Sequence, residues 1–357
     1  MKKLLLLEAK RILLPLIVFT VITSALYLIT ALNSDFIFIR YYYPDGNYNH
    51  VPIAYNSPGN PLTYIPAGFL AVLSFIAPVL QYSYRMKKRA TDLWYSLPIT
   101  RTKLVFLRTL GGLALVLIPY TFSYWLGFAA IALSENMFRL SAYVPLFFAS
   151  IGVGILLYGV NSFLYTRANL IGDGIIFMWA WITVPCLPFL FFLMKNVSFL
   201  PQGSLITNPS LCLSLSPLGW LFAYFDPIIR GGESAIPHAW FIFGLGTVAG
   251  AAAFFGLFFT AKRHKAENAG QISDSFFGYK TLIPWSMFFL ILTFLSPQSP
   301  DSMAYLITIF IFGLIAYFIY RRSFRLKKID ILSLIITLLA GIAVLSLHEY
   351  VILPLLG

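Results

Sequence analysis

The chain has 357 residues, 59% of them hydrophobic and 11% charged, a net charge of +12 and a mean hydropathy of +0.82. A water-soluble domain cannot bury that much apolar surface, so the composition excludes an ordinary soluble enzyme or binding module and makes the bilayer the solvent. The positive charge flanks apolar runs, so it reads as topology and contact with anionic headgroups rather than as a nucleic-acid surface.

Nine apolar segments of spanning length follow along the chain, at about Leu13–Ala31, Ile65–Tyr82, Leu104–Leu133, Ala142–Leu164, Leu170–Met194, Ala239–Ala261, Thr281–Leu295, Met303–Tyr320 and Ile331–Leu347. They predict an all-α polytopic membrane protein. The first run is long enough to span, and no small-residue cleavage site follows it, which is unlike a signal peptide. Ahead of it, Met1–Ile12 (MKKLLLLEAKRI) fits either a headgroup anchor or a brace for a soluble partner.

The stretch Leu32–Tyr64 carries turn chemistry in YYYPDGNYNH and AYNSPGNP. Its aromatic residues Phe36, Phe38, Tyr41, Tyr42, Tyr43, Tyr48 and Tyr55 fit an interfacial belt or an outer gate. The stretch Val197–His238 is mixed, and its apolar middle, Ser216–Phe225, is too short to cross and suits a re-entrant or interfacial helix.

Lysine and arginine set the predicted orientation. With the N-terminus inside, the inner connections collect 21 of the 25 basic residues and the outer ones hold four, Arg40, Arg139, Lys195 and Arg230. That asymmetry places the N-terminus in the cytoplasm and the chain in the cell membrane.

The densest basic stretch is Arg85–Lys103, RMKKRATDLWYSLPITRTK, between the second and third segments. Leu93, Trp94 and Leu97 are predicted to share one face of a short helix that Pro98 stops. Such a helix either docks in a groove of a soluble partner or lies on headgroups as a basic anchor.

The series Asp92-Leu-Trp-Tyr-Ser-Leu-Pro-Ile-Thr-Arg101, after a basic end and before Lys103 and a long span, resembles the permease subunits of ABC-2 type ATP-binding-cassette transporters. Ser216-Pro217 before the sixth segment resembles that family's outer re-entrant element, at about 216–226. Arg263–Gly270, RHKAENAG, resembles an R-x-x-E-x-A-G run in a Gram-positive branch, with His264 standing at the arginine position.

The resemblance covers residues 1–275 and implies an ABC-2-like core of six transmembrane helices, to which residues 276–357 add two or three. It implies that 1–12 is an interfacial helix and that 85–103 is the coupling loop to the ATPase, through Arg89, Asp92, Leu93, Trp94, Leu97, Pro98 and Arg101. It further implies a cytoplasmic ATPase dimer that carries ATP and Mg, and a second permease subunit, identical or paralogous.

Other features have plainer readings. Asp173, in Ile171-Gly172-Asp173-Gly174, is expected as an interfacial carboxylate close to Arg167, with no second intramembrane aspartate to make a protease pair. The glycines at 244, 246, 250 and 256, and at 152, 154 and 159, are expected to allow close helix packing. Cys186 and Cys212 form no metal or redox motif, and both a bridge and two thiols fit them. His50, His238, His264 and His348 have no metal-ligand spacing.

There is no GxxxxGK[ST] run, hence no phosphate-cradling loop in the chain itself. The expected function is therefore that of a permease subunit without catalytic, cofactor or metal site. It would export or clear an amphipathic peptide, antibiotic or lipid-like envelope compound. A non-transporting sensor or scaffold of an ATPase complex, and a polytopic membrane enzyme, are the alternatives.

Overall fold

The computed structural model describes residues 2–31, 38–42, 48–52, 61–133, 140–187, 216–217, 219–220, 239–262, 265–295, 302–347 and 350. The protein is an all-α polytopic membrane protein, and seven of its helices are long and apolar enough to cross a bilayer. In chain order the helices are α1 (Lys2–Ala31), α2 (Pro61–Tyr82), α3 (Lys88–Tyr95), α4 (Arg101–Leu133), α5 (Leu140–Tyr165), α6 (Ile171–Thr183), α7 (Ala239–Ala261), α8 (Tyr279–Phe294), α9 (Ser302–Arg321) and α10 (Lys328–Leu347). Two strands, β1 (Phe38–Tyr42) and β2 (Tyr48–Pro52), pair antiparallel with Phe38 opposite Pro52 and Tyr42 opposite Tyr48. Residues 43–47, whose sequence carries turn chemistry, lie outside the described residues.

Seven of the nine expected segments coincide with the long helices. The fifth contains α6, of 13 residues, and the seventh overlaps α8, of 16. At 1.5 Å per residue these reach about 20 and 24 Å, short of a hydrocarbon core of about 30 Å. The rest of the fifth segment, from residue 188, lies outside the described residues, as do Cys212 and most of 216–226. Residues 2–12 are the first turns of α1 and run into the first span without a break.

The chain packs as two compact units. One holds Met1–Tyr82, Tyr95–Phe163 and Trp220–His264; the other holds Ser83–Trp94, Leu164–Gly219 and Lys265–Gly357.

In the first unit, α1 and α2 pack along α4. Tyr27, Tyr82, Tyr120, Tyr124 and Tyr158 are fully buried. Two of the hydroxyls explain why tyrosine rather than phenylalanine stands at their positions: Tyr120 donates to Ser150 Oγ at 2.6 Å, and Tyr82 and Thr109 share a bond of 2.8 Å.

Glycines receive the bulky partners. A Cβ at Gly112 would stand 1.9 Å from the Tyr158 hydroxyl, and one at Gly127 would stand 2.3 Å from the Tyr27 ring. Between α5 and α7, Gly250 receives Leu156, Gly159 receives Phe254 and Gly256 receives Phe163. These small-residue faces therefore serve packing within the chain. Gly112→Ala is expected to cost about 1–3 kcal/mol, because Tyr158 cannot retreat from a packed core. Unfolding of the purified variant in detergent measures this; an unchanged midpoint would show that the tyrosine repacks freely.

In the second unit, α8 packs against both α9 and α10. Met287 fills the notch at Gly313, and Ile291 the notch at Gly341. The opposite faces of α9 and α10 are apolar and outward, with Met303, Ile307, Ile335 and Leu339 exposed. Faces of that kind need lipid as their neighbour.

Candidate functional site

The expected coupling stretch begins as α2 ends. A 3-10 turn at Ser83–Met86 buries Tyr84, Arg85 and Met86, and α3 starts two residues later. Thr91 anchors α3: it is buried, and its Oγ1 donates to the carbonyl oxygens of Tyr84, at 2.9 Å, and Lys87, at 3.0 Å. Trp94, one turn on, leans on the Tyr84 ring with centroids 6.1 Å apart.

The inward face of α3 is thus Thr91 and Trp94. The outward face carries Lys88, Arg89, Asp92 and Leu93, the leucine 65% exposed. This corrects the expectation that Leu93, Trp94 and Leu97 share a face. Helical periodicity sets Leu93 and Trp94 about 100° apart, and Thr91 rather than a leucine fixes which side turns inward.

α3 also ends at Tyr95, so Leu97 and Pro98 lie beyond it in a bend. There the Ile99 amide donates to the Leu97 carbonyl at 2.7 Å. Leu97 is half-buried and Pro98 exposed. Arg101 opens α4 and lies over the Tyr95 ring at 4.7 Å. Arg89, Asp92, Leu93, Pro98 and Arg101 are therefore the surface members of the expected set, and Trp94 and Leu97 are its supports.

The turn after α5, residues 165–170, and the segment 265–280 meet in the same unit. The Gly270 amide donates to Asn169 O at 3.0 Å, Asn169 N donates to Ser273 Oγ at 2.9 Å, and Asn169 Nδ2 donates to Ile272 O at 2.9 Å. Gly270 has φ +80°, a conformation open to glycine and strained for other residues.

Asp173, on the first turn of α6 and 7% exposed, is the hub. It accepts from Ser273 Oγ at 2.5 Å, Tyr279 OH at 3.0 Å and Arg322 Nη2 at 3.0 Å. Its cationic partner is thus Arg322, and not Arg167 as its nearness in sequence suggested. Arg322 follows α9 with φ 51°, and its Nη1 donates to Gly270 O at 3.5 Å. A left-handed arginine costs energy, which the carboxylate contact offsets.

Two further ion pairs complete this end. Arg321 grips Asp330 with two bonds, of 2.7 and 2.6 Å. Asp274 pairs with Lys280 at 2.7 Å and accepts from Tyr320 OH at 2.7 Å. Lys280, with Tyr320, holds the Asp274 carboxyl below its ordinary 3.8. This contribution to stability is complete above that ordinary value and is lost as the pH falls through the lowered one.

These bonds bring the connections at 165–170, 265–280 and 321–328 to one end of the unit, together with the start of α3, whose Lys88 Cε lies 4.0 Å from a Cβ position on Gly270. The same three connections carry eight of the 21 basic residues assigned to one side of the membrane.

The first unit holds a second polar centre, within the spanning region. Glu8 is 7% exposed and Arg108 fully buried, with Arg108 Nη1 3.4 Å from both Glu8 oxygens. Arg11 Nη2 lies 2.6 Å from Glu8 Oε1 and also donates to Gln81 Oε1. Gly111 keeps the space open, since a Cβ there would meet Gln81 and Glu8 at 3.2 Å. The positive-inside division of the sequence groups Arg108 with the inner connection at 85–103. The missed signal was an arginine two turns into an apolar helix, which demands a partner.

Among the described residues no cluster of three His, Cys, Asp or Glu is placed to hold a metal ion. No family model, curated protein or solved structure matches this chain.

Proposed function

We propose that this chain is the permease subunit of an ATP-driven transporter whose ATPase is a separate cytoplasmic subunit. The observation that carries the reading is α3. It is an eight-residue amphipathic helix in the connection between two spanning helices, fixed from inside by Thr91 and Trp94 and offering Leu93, Arg89 and Asp92 outward. A short helix with one exposed apolar residue among charges is suited to a groove on a soluble partner.

The partner is an ATPase dimer that binds ATP and Mg and closes. The motion passes through α3 to α2 and α4 on either side of it. ATP drives the cycle because the ATPase binds it with different affinity in the two states. A second permease subunit, a copy or a relative, supplies the other wall of the pathway. The N-terminus and the basic connections face the cytoplasm of the cell, in keeping with the 21-to-4 split of basic residues.

The cargo is an amphipathic peptide, antibiotic or lipid-like envelope compound. An apolar groove of about 500 Å³ between α1 and α2, lined by Phe19, Ile22, Leu26, Phe69 and Val72, suits the apolar part of such a molecule.

The test is purification of the tagged chain from its host in mild detergent, with stoichiometry by mass spectrometry. An ATPase in a one-to-one ratio with total permease is expected. Leu93→Asp is expected to reduce its recovery roughly tenfold, by burying a charge in the contact, with membrane insertion unchanged. A chain that purifies alone even after crosslinking would overturn the proposal. Function that survives a catalytically dead ATPase would replace it with a scaffold role.

A further inference from the structure

Arg321 and Arg322, where α9 ends, are neutralised by Asp330 and Asp173. Arg325 and Lys328, farther along the same connection, are exposed and have no ion-pair partner among the described residues. Because the connection joins two spanning helices, both cations stand at the border of the hydrocarbon. Beside them Phe324 is 88% exposed, yet its ring lies edge-on to that of Phe318 in α9, with centroids 5.3 Å apart. A ring turned back along a spanning helix is an interfacial anchor, with lipid around it rather than water.

α10 carries the apolar half. Its inner face, Asp330, Leu334, Thr337, Gly341 and Leu345, is buried. The helical period puts Lys328 on the opposite face, in line with Leu332, Ile335 and Leu339, all of them exposed. From Lys328 to Leu339 the helix rises about 16 Å, close to half of a hydrocarbon core of about 30 Å. One stripe thus joins a cation at the headgroup level to an apolar track as long as a single leaflet is deep.

We propose that Arg325, Lys328 and this stripe bind an anionic phospholipid, its headgroup at the two cations and an acyl chain along Leu332, Ile335 and Leu339. The cations select negative charge, each by a factor of about five in affinity. The stripe selects a lipid over a soluble partner, because it runs on unbroken to a depth that no soluble protein reaches. The inference stands apart from the transporter reading.

The test uses the full chain in neutral detergent, with native mass spectrometry reading the retention of added phosphatidylglycerol or phosphatidylcholine. The wild type is expected to keep phosphatidylglycerol. Arg325→Gln/Lys328→Gln is expected to keep roughly thirtyfold less of it, with phosphatidylcholine unchanged. Its thermal midpoint without lipid should not move, since both side chains are exposed. Dihexanoyl phosphatidylglycerol, with chains too short for the stripe, should be kept poorly by the wild type as well. Lys87→Gln/Lys88→Gln removes the same charge from exposed positions off the spanning helices and should retain phosphatidylglycerol as the wild type does.

Equal retention by the wild type and Arg325→Gln/Lys328→Gln would overturn the site. So would an equal loss from Lys87→Gln/Lys88→Gln, which would show attraction to the whole charged surface. A chain that keeps no phosphatidylglycerol also overturns it, and one that does so as a dimer assigns the stripe to a second copy.

Discussion

Glu8→Ala is expected to destabilise the protein by about 3–5 kcal/mol, the cost of leaving one member of a buried ion pair without the other. Arg108 is fully enclosed in α4, and the Glu8 carboxylate lies 3.4 Å from it. Arg11 donates to the same carboxylate and also to Gln81 Oε1, so the loss of Glu8 also removes one partner of that arginine. Unfolding of the purified variant in detergent would show the loss.

The double variant Glu8→Ala/Arg108→Leu separates the causes. An apolar pair of similar volume is expected to recover most of the stability, since the penalty lies in the uncompensated charge and not in the missing contact. If the double variant is as unstable as Glu8→Ala, the cluster matters through packing instead. Arg108→Leu alone should be milder, because Glu8 keeps Arg11 as its partner.

Asp173→Ala is expected to cost about 3 kcal/mol, reflecting one charged and two neutral hydrogen bonds lost from a largely buried carboxylate. The effect should be local at first. Segment 269–279 hangs on Asp173 through Ser273 and Tyr279, and the turn after α9 hangs on it through Arg322. Hydrogen exchange should therefore quicken at Asn169, Gly270 and the start of α8, with α9 and α10 little changed.

Arg322→Leu should cost less than Asp173→Ala, because Asp173 keeps Ser273 and Tyr279. Equal exchange in wild type and Asp173→Ala would show that Trp181, which donates to Phe277 O at 2.9 Å, holds the segment without help.

Much of the architecture follows from hydropathy. Seven spanning helices stand where unbroken apolar runs stand, because each backbone polar group in hydrocarbon must be satisfied within its own helix. The weaker cases were α6 and α8, whose runs continue past the helix ends into turn-forming or proline-containing sequence. The short helix in the 85–103 connection was legible from its basic and apolar mixture. Its inward face was not, because Thr91 acts through hydroxyl bonds to two carbonyls, which hydropathy does not weigh.

The sequence by itself determined the solvent, the place and order of the seven long helices, and the concentration of basic residues in alternate connections, because these depend on composition within windows of about 20 residues. Only the tertiary structure decided which charges meet. Glu8 finds Arg108 a hundred positions away, Asp173 finds Arg322 across 149, and Nε and Nη1 of Arg85 are left enclosed without a hydrogen-bond partner among the described residues. Each pairing depends on where helices cross at low dielectric. There a charge takes whichever partner packing brings within a few ångströms, and nearness along the chain has no bearing on that distance.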